Sequence, residues 1–285
     1  MFWQISRRRL LLDRPLVMAI LNVTPDSFSD GGEYLSVDDA LKHAEKIVGE
    51  GADIIDIGGE STRPGSDRVS ASEEIQRTVP VIEAIGKRFD IPVSIDTTKS
   101  EVARRAIDAG AEIINDISGL RFDGRIARIA AATNAGLVLM HSRGTFETLH
   151  TQPPIENILQ EVWGGLRSSI EKARASSVKD EQIALDVGIG FGKTFEQNME
   201  ILAKMDKIIG QFPEYPILVG TSRKSFIARI TGDVPPKERL SGSLASIAIA
   251  VWNGASIVRV HDVKESVQTV EVIKTIRNWR EENVE

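Results

Sequence analysis

Along this chain apolar residues come in short runs with a polar residue at or near the end of most, each followed by a longer segment of helical spacing. The runs are Leu16 to Leu21, Ile54 to Ile57, Val93 to Ile95, Ile113 with Ile114, Leu137 to Met140, Ile183 to Leu185, Ile217 to Val219 and Ile257 to Val260. A short run without alternation is the signature of a strand buried on both faces. Between the runs, apolar positions recur every three or four residues, as in Ala40, Leu41, Ala44, Ile47 and Val48. Helices are predicted over Val37 to Gly49, from about Ser72 to Arg88, from a Thr98 cap to Gly110, and over Arg125 to Asn134. Further helices are predicted over Ile155 to Ala175, Phe195 to Ile209, Phe226 to Trp252 with a break at Pro235 and Pro236, and Val263 to Trp279.

Regular alternation of strand and helix implies a parallel sheet. Eight such units in one domain imply an α/β fold closed into a single (β/α)8 TIM barrel over residues 16–285. A doubly wound open sheet is the other arrangement of the same elements. Residues 1–15 precede the first unit as a short N-terminal extension, expected to form a hairpin across the barrel bottom.

The segment Ile183 to Thr194, I-A-L-D-V-G-I-G-F-G-K-T, condenses the pattern: a strand ends in Asp186, a glycine-rich turn follows, and a helix opens. It resembles a phosphate-binding P-loop, but that motif needs a glycine where Val187 stands. Lys193 falls at a helix start, where a cation is unwelcome but is expected to be readily solvated.

Composition narrows the function. With 285 residues and 41% hydrophobic content, a sizeable core is possible. A net charge of -6 argues against a general grip on nucleic acid. The absence of cysteine excludes disulfides, thiolate metal sites and a cysteine nucleophile, and fits a cytoplasmic protein. No stretch approaches the length of a membrane span.

In such a barrel the site lies at the C-terminal strand ends. Those ends read Asn22, Asp56, Asp96, Asn115, His141, Asp186, Lys224 and the pair Arg259 and His261. Each has an ordinary reading: an Asp after a strand is commonly a helix cap, a lone Lys or Arg a solvated charge, and Asp56 a cap or the partner of an arginine. Together they face one cavity. Asp96, Asn115, Asp186 and Lys224 supply acceptors, an amide and a cationic donor, suited to a flat heterocycle with N–H groups on one edge and a carbonyl on the other. Arg63, Arg259 and His261 supply charge or donors for an anion. Asn22 offers a neutral oxygen to a hard cation such as Mg²⁺ bridging to phosphate oxygens.

The motifs that carry these residues resemble those of the bacterial dihydropteroate synthases. They are L-N-V-T-P-D-S-F-S-D-G-G at Leu21 to Gly32, D-I-G-G-E-S-T-R-P-G at Asp56 to Gly65, S-I-D-T-T-K at Ser94 to Lys99 and I-N-D-I-S-G at Ile114 to Gly119. G-I-G-F-G-K at Gly188 to Lys193, G-T-S-R-K-S at Gly220 to Ser225 and R-V-H-D at Arg259 to Asp262 complete the set.

The resemblance implies a TIM-barrel transferase, usually homodimeric and Mg²⁺-dependent. It joins 6-hydroxymethyl-7,8-dihydropterin diphosphate to p-aminobenzoate in folate biosynthesis and is a sulfonamide target. By that resemblance Asp96, Asn115, Asp186 and Lys224 hold the pterin, Met140 lines its pocket and Arg259 lies against it. Asn22, Arg63, Arg259 and His261 hold the diphosphate, and Asn22 ligates Mg²⁺. Thr62, Pro64, Phe191, Ser225 and the stem of Lys224 surround p-aminobenzoate. Asp96, Asp186, Lys224, Arg259 and His261 carry the catalytic roles. The loops Thr24 to Gly32 and Glu60 to Ser66 close over the site and, with little that could pack, are expected to be mobile in the free enzyme.

This chain departs from the family pattern at Val187, where the family commonly has proline, and at Ser142 and Phe146 after the fifth strand, where it tends to have methionine and proline. Two other readings share the barrel. A pterin-dependent corrinoid methyltransferase would not need the anion corner, and a non-catalytic pterin-binding relative would be expected to lack Asn22, Arg63 or His261.

Overall fold

The computed structural model of the protein describes residues 1–24, 37–63 and 65–282, without the side chains of 281 and 282. The strands are β1 (Phe2–Gln4), β2 (Arg9–Leu11), β3 (Leu16–Asn22), β4 (Ile54–Gly58), β5 (Val93–Asp96), β6 (Ile113–Asp116), β7 (Gly136–Met140), β8 (Ile183–Asp186), β9 (Ile217–Val219) and β10 (Ile257–Val260). The helices are α1 (Val37–Gly49), α2 (Ala71–Arg88), α3 (Ser100–Asp108), α4 (Arg125–Thr133), α5 (Ile158–Ala175), α6 (Phe195–Ala203), α7 (Met205–Ile209), α8 (Ser225–Thr231), α9 (Leu240–Trp252) and α10 (Val263–Glu282).

Strands β3 to β10 close into a parallel barrel in sequence order, with β10 pairing β3 to seal it, so the (β/α)8 reading holds and the open sheet does not. β1 and β2 form a separate antiparallel hairpin. Trp3 and Ile5 from its first arm join Leu16, Met18, Ile54, Ile113, Val138, Ala184, Leu218 and Ile257 in a cluster at the N-terminal end of the barrel. Gly136 makes room for them: a Cβ there would meet Ile5 Cγ2 at 2.8 Å. The Trp3 indole N–H donates to the Gln182 carbonyl at 2.8 Å, and the buried Glu112 carboxylate accepts from Arg7 and Arg8.

The period of two along each strand links this floor to the site. Side chains two residues further on point into the same interior, one layer higher. Thus Ile54 leads to Asp56, Ile113 to Asn115, Val138 to Met140, Ala184 to Asp186 and Ile257 to Arg259. The intervening residues, such as Val17, Ile55, Ile114 and Leu185, face the helices in the larger outer core.

Local chemistry moved several helix ends. The helix after β5 begins at Ser100 rather than at a Thr98 cap, and the Asp123 carboxylate accepts its first N–H at 3.0 Å. Thr98 is buried, with no partner for its hydroxyl. The helix expected from Ile155 starts at Ile158, because Asn157 caps it by accepting from the Gln160 N–H. The helix expected over Phe195 to Ile209 divides at Lys204 into α6 and α7. α6 opens on a capping box in which Thr194 and Gln197 satisfy each other's backbone N–H groups.

Candidate active site

The upper interior of the barrel opens into a cleft. Its deep part is lined by Ile20, Asp96, Asn115, Ile117, Met140 and Asp186, and its outer part by Thr62, Phe191, Gly220, Ser222, Lys224, Arg259 and His261. Nine of the expected residues therefore meet around one space. Asn22 lies beside it: its Oδ1 would stand 3.2 Å from a Cβ on Gly58, next to Asp96. Arg63 is exposed on the β4 connection, near enough for its charge to bear on His261. Ser225 heads α8 and is exposed outside the lining. Pro64 and residues 25–32 of the first expected loop lie outside the described residues.

An ion-pair clamp crosses the deep part. Arg259 Nε donates to Asp56 Oδ2 at 2.6 Å and its Nη2 to Asp96 Oδ2 at 2.7 Å. Asn115 Nδ2 donates to the same Asp56 oxygen at 3.1 Å. Asp56, fully buried, is thus the partner of an arginine rather than a helix cap. Burial pushes the Asp96 carboxyl up to about 7 against the pull of Arg259, and the nearby charge of Asp56 adds to the rise. Burial also opposes the charge of Arg259, but Asp56 and Asp96 outweigh it and hold the guanidinium above its ordinary range.

The β8 connection builds the opposite wall. Asp186 Oδ1 accepts from the Gly188 N–H at 2.7 Å, which turns the chain back over the strand end. Gly188 has φ +66°, and a Cβ there would stand 1.9 Å from the His141 carbonyl oxygen, so only glycine fits. Burial raises the Asp186 carboxyl, opposed by that N–H and by Lys224, Arg259 and Lys193. Lys224 donates to the Ile189 carbonyl and lies 4.2 Å over the Phe191 ring. Burial pulls its ammonium down to about 8 despite Asp186.

Lys193 corrects a sequence expectation. It is not solvated: its Nζ donates to the carbonyls of His141 (3.2 Å), Gly188 (2.8 Å) and Phe191 (3.1 Å). Burial holds its ammonium well below the usual range. His141, expected at the cavity, does not line the cleft. It points away from the cleft, packs where Gly165 of α5 leaves space, and burial beside Lys193 keeps it neutral.

Two sequence motifs prove to be one unit. Arg223, at φ +60°, pairs through Nε and Nη2 with the Asp262 carboxylate, joining G-T-S-R-K-S to R-V-H-D. This sets Ser222, whose Oγ accepts from the His261 backbone N–H at 3.2 Å and lies 3.1 Å from His261 Nδ1. Burial, with Arg223 and Arg259 nearby, drops the His261 imidazole to about 3, so it is neutral. With the serine hydroxyl donating to Nδ1, the proton sits on Nε2, and His261 serves as a neutral donor rather than a cation. Ser222 was missed in the sequence although it lies two residues before Lys224. Ile20 and Ile117 were missed too, although Ile20 is two residues before Asn22 and so shares its face.

The β4 connection is tied down more than its composition suggested. Glu60 Oε1 accepts from the Val69 N–H at 2.7 Å, while Lys99 bridges Glu60 and Glu74 at 2.8 and 2.6 Å. Ser66 Oγ donates to the carbonyls of Ser61 and Arg63. Among the described residues no group of three or more His, Cys, Asp or Glu side chains could hold a metal ion, and no helix is long and apolar enough to cross a membrane.

Residues 18–261 match the family model described as pterin binding enzyme. A dihydropteroate synthase from Synechocystis is 46% identical over 269 residues, covering 94% of this chain and 91% of that protein. The Yersinia pestis dihydropteroate synthase, solved with a sulfonamide drug complex, superposes with a TM-score of 0.91 at 42% identity over 98% of this chain and 100% of that one. A Xanthomonas albilineans dihydropteroate synthase solved with 4-aminobenzoic acid gives 0.90 at 39% identity, over 97% and 99% of the two chains.

Proposed function

The chain belongs to the pterin-binding enzyme family, among its dihydropteroate synthases, and from that premise we propose how its own residues divide the work of joining a pterin to p-aminobenzoate. The observation that carries the division is the cleft itself, with hydrogen-bonding groups at depth, an aromatic rim, and Arg259 between them. Asp96, Asn115, Asp186 and Lys224 bind the edges of the pterin, with Met140 and Ile117 against its face. Arg259, already aligned by two carboxylates, lies along the ring and reaches the diphosphate with His261, Asn22 and Arg63. Thr62, Phe191 and the Lys224 stem flank p-aminobenzoate, and Pro64 and Ser225 complete that group by family resemblance.

The reaction is dissociative in this reading. The bond between the methylene carbon and the diphosphate oxygen breaks, and its electron pair leaves with pyrophosphate. The electron-rich dihydropterin spreads the resulting positive charge. The aniline nitrogen then bonds to the carbon and gives up a proton. Asp96 and Asp186 stabilise the cation, while Arg63, Arg259 and the His261 N–H stabilise the leaving group. Fixed charges aimed at developing charge are commonly the largest catalytic contribution.

The residues fit Mg²⁺ held mainly by substrate and water: one hard neutral oxygen, Asn22 Oδ1, borders the anion corner, with no dedicated carboxylate cage among the described residues. When bound, the ion would neutralise charge on the diphosphate. A cytoplasmic homodimer also belongs to this proposal. Exposed Ile249 and Trp252 on α9 and Val272, Ile276 and Trp279 on α10 form an apolar stripe suited to a second copy. Purified protein should form dihydropteroate from the two substrates with Mg²⁺ and lose most of that activity with chelator. No product under either condition would overturn the reading.

A further inference from the structure

The connection after β7, which departs from the family pattern at Ser142 and Phe146, is built as a shelf. Ser142 Oγ donates to the Ile117 carbonyl and accepts from Arg121, which also donates to the Gly144 carbonyl. Phe146 and Leu149 are buried against Met140 and Ile117, with the Arg68 guanidinium 4.8 Å over the Phe146 ring. The shelf docks on the β8 connection through Gly192, whose N–H donates to the Leu149 carbonyl and whose carbonyl accepts from Arg143.

The shelf carries His150 to a place where it meets both sides of the outer cleft. Nε2 lies 2.7 Å from the Thr62 carbonyl oxygen on the β4 connection, and Nδ1 lies 3.1 Å from the Gly190 carbonyl oxygen on the β8 connection. Its ring centroid is 5.5 Å from that of Phe191. Thr62 and Phe191 line the outer cleft. Carbonyl oxygens only accept, and a neutral imidazole has one N–H, so it can tie one side at a time. Only the imidazolium ties both.

We propose that His150 is a positioning residue for the amine substrate, a strap that fixes the spacing of Thr62 and Phe191 around p-aminobenzoate. This rests on the dihydropteroate synthase reading. The charged groups on the surrounding elements are Arg63 beside Thr62, the Arg68–Glu147 pair at 3.7 Å, Arg143 at Gly192, and Lys193 and Lys224 at Phe191.

Steady-state constants are measured for wild type, His150→Ala and His150→Arg at one fixed pH. His150→Ala should raise KM for p-aminobenzoate about three- to tenfold, the worth of one ordinary hydrogen bond. It should leave kcat and the KM for the pterin diphosphate within about twofold. His150→Arg, a permanent double donor, should hold KM low. Amide hydrogen exchange over residues 61–66 and 188–192 should quicken in His150→Ala. An unchanged KM for p-aminobenzoate with unchanged exchange, or equal rises in both KM values, would overturn the strap. Wild type that makes no dihydropteroate would overturn the functional reading instead, and the exchange result would still decide the strap.

Discussion

Replacing Arg259 by methionine keeps most of the side-chain volume and removes the charge from the Asp56–Asp96 clamp. Asp56 is fully buried and would keep one donor, Asn115 Nδ2 at 3.1 Å, while its Oδ1 already has none. Asp96 would lose its 2.7 Å partner. Breaking a buried pair by removing one member costs about 3–5 kcal/mol, because the remaining charge is left uncompensated. Part of that cost should depend on pH. With Arg259 present the Asp96 carboxyl is already pushed to about 7, and without it the folded-state value must rise further. Unfolded, the group titrates near its ordinary value of about 4. A carboxyl raised in the folded state contributes stability at low pH and loses it as pH rises toward the folded value, at up to about 1.4 kcal/mol per pH unit for each proton. The loss in Arg259→Met should therefore be larger at about pH 8 than near pH 5, by up to about 1.4 kcal/mol, because the Asp96 carboxyl of the two proteins differs in charge only above about pH 7. Urea denaturation followed by tryptophan fluorescence at the two pH values measures both. A loss that is the same at each would show that the clamp is not an electrostatic unit.

Three further outcomes are expected. Asp186→Asn should keep its turn, since an amide oxygen still accepts from Gly188, yet weaken a pterin analogue by about 2–4 kcal/mol in calorimetry; unchanged affinity would refute its role. Lys193→Met strips three carbonyls of their common donor and should cost about 2–4 kcal/mol of stability, whereas Lys224→Met should chiefly lose activity. An unaltered denaturation midpoint for Lys193→Met would refute that division. His261 is held at about 3 by burial, so the unfolded chain binds its proton first and stability should fall as pH drops from about 6.5 toward 3; a His261→Asn variant should show a shallower slope in urea titrations, and an identical slope would refute it.

Much of this was legible because the barrel repeats one rule. An apolar run closed by a polar residue located Asp96, Asn115, Asp186 and Arg259 without any structure. What the sequence hid were partnerships between distant segments. Lys193 looked like an exposed helix-start cation because the three carbonyls around it come from the backbones of two connections, and backbone acceptors leave no trace in side-chain identity. Arg223 and Asp262 lie 39 positions apart, so neither motif announces its dependence on the other. Thr98 failed as a cap because Asp123 reached in from the next connection. His150 was passed over because it follows no strand end and lies well beyond His141, the polar residue that follows β7.

The N-terminal hairpin has a consequence for the order of assembly. Trp3 is synthesised long before its partners: the carbonyl it donates to belongs to Gln182, and its cluster reaches as far as Ile257. The indole cannot find its place until nearly the whole chain has been synthesised and the strand ends around it have gathered. The first arm therefore waits, exposed, through most of translation, and its docking is a late closing step. Contacts this distant in sequence are slow to form, since the intervening chain must first be brought together. Burial of Trp3 would then report completion of the barrel floor, separately from the growth of the units above it.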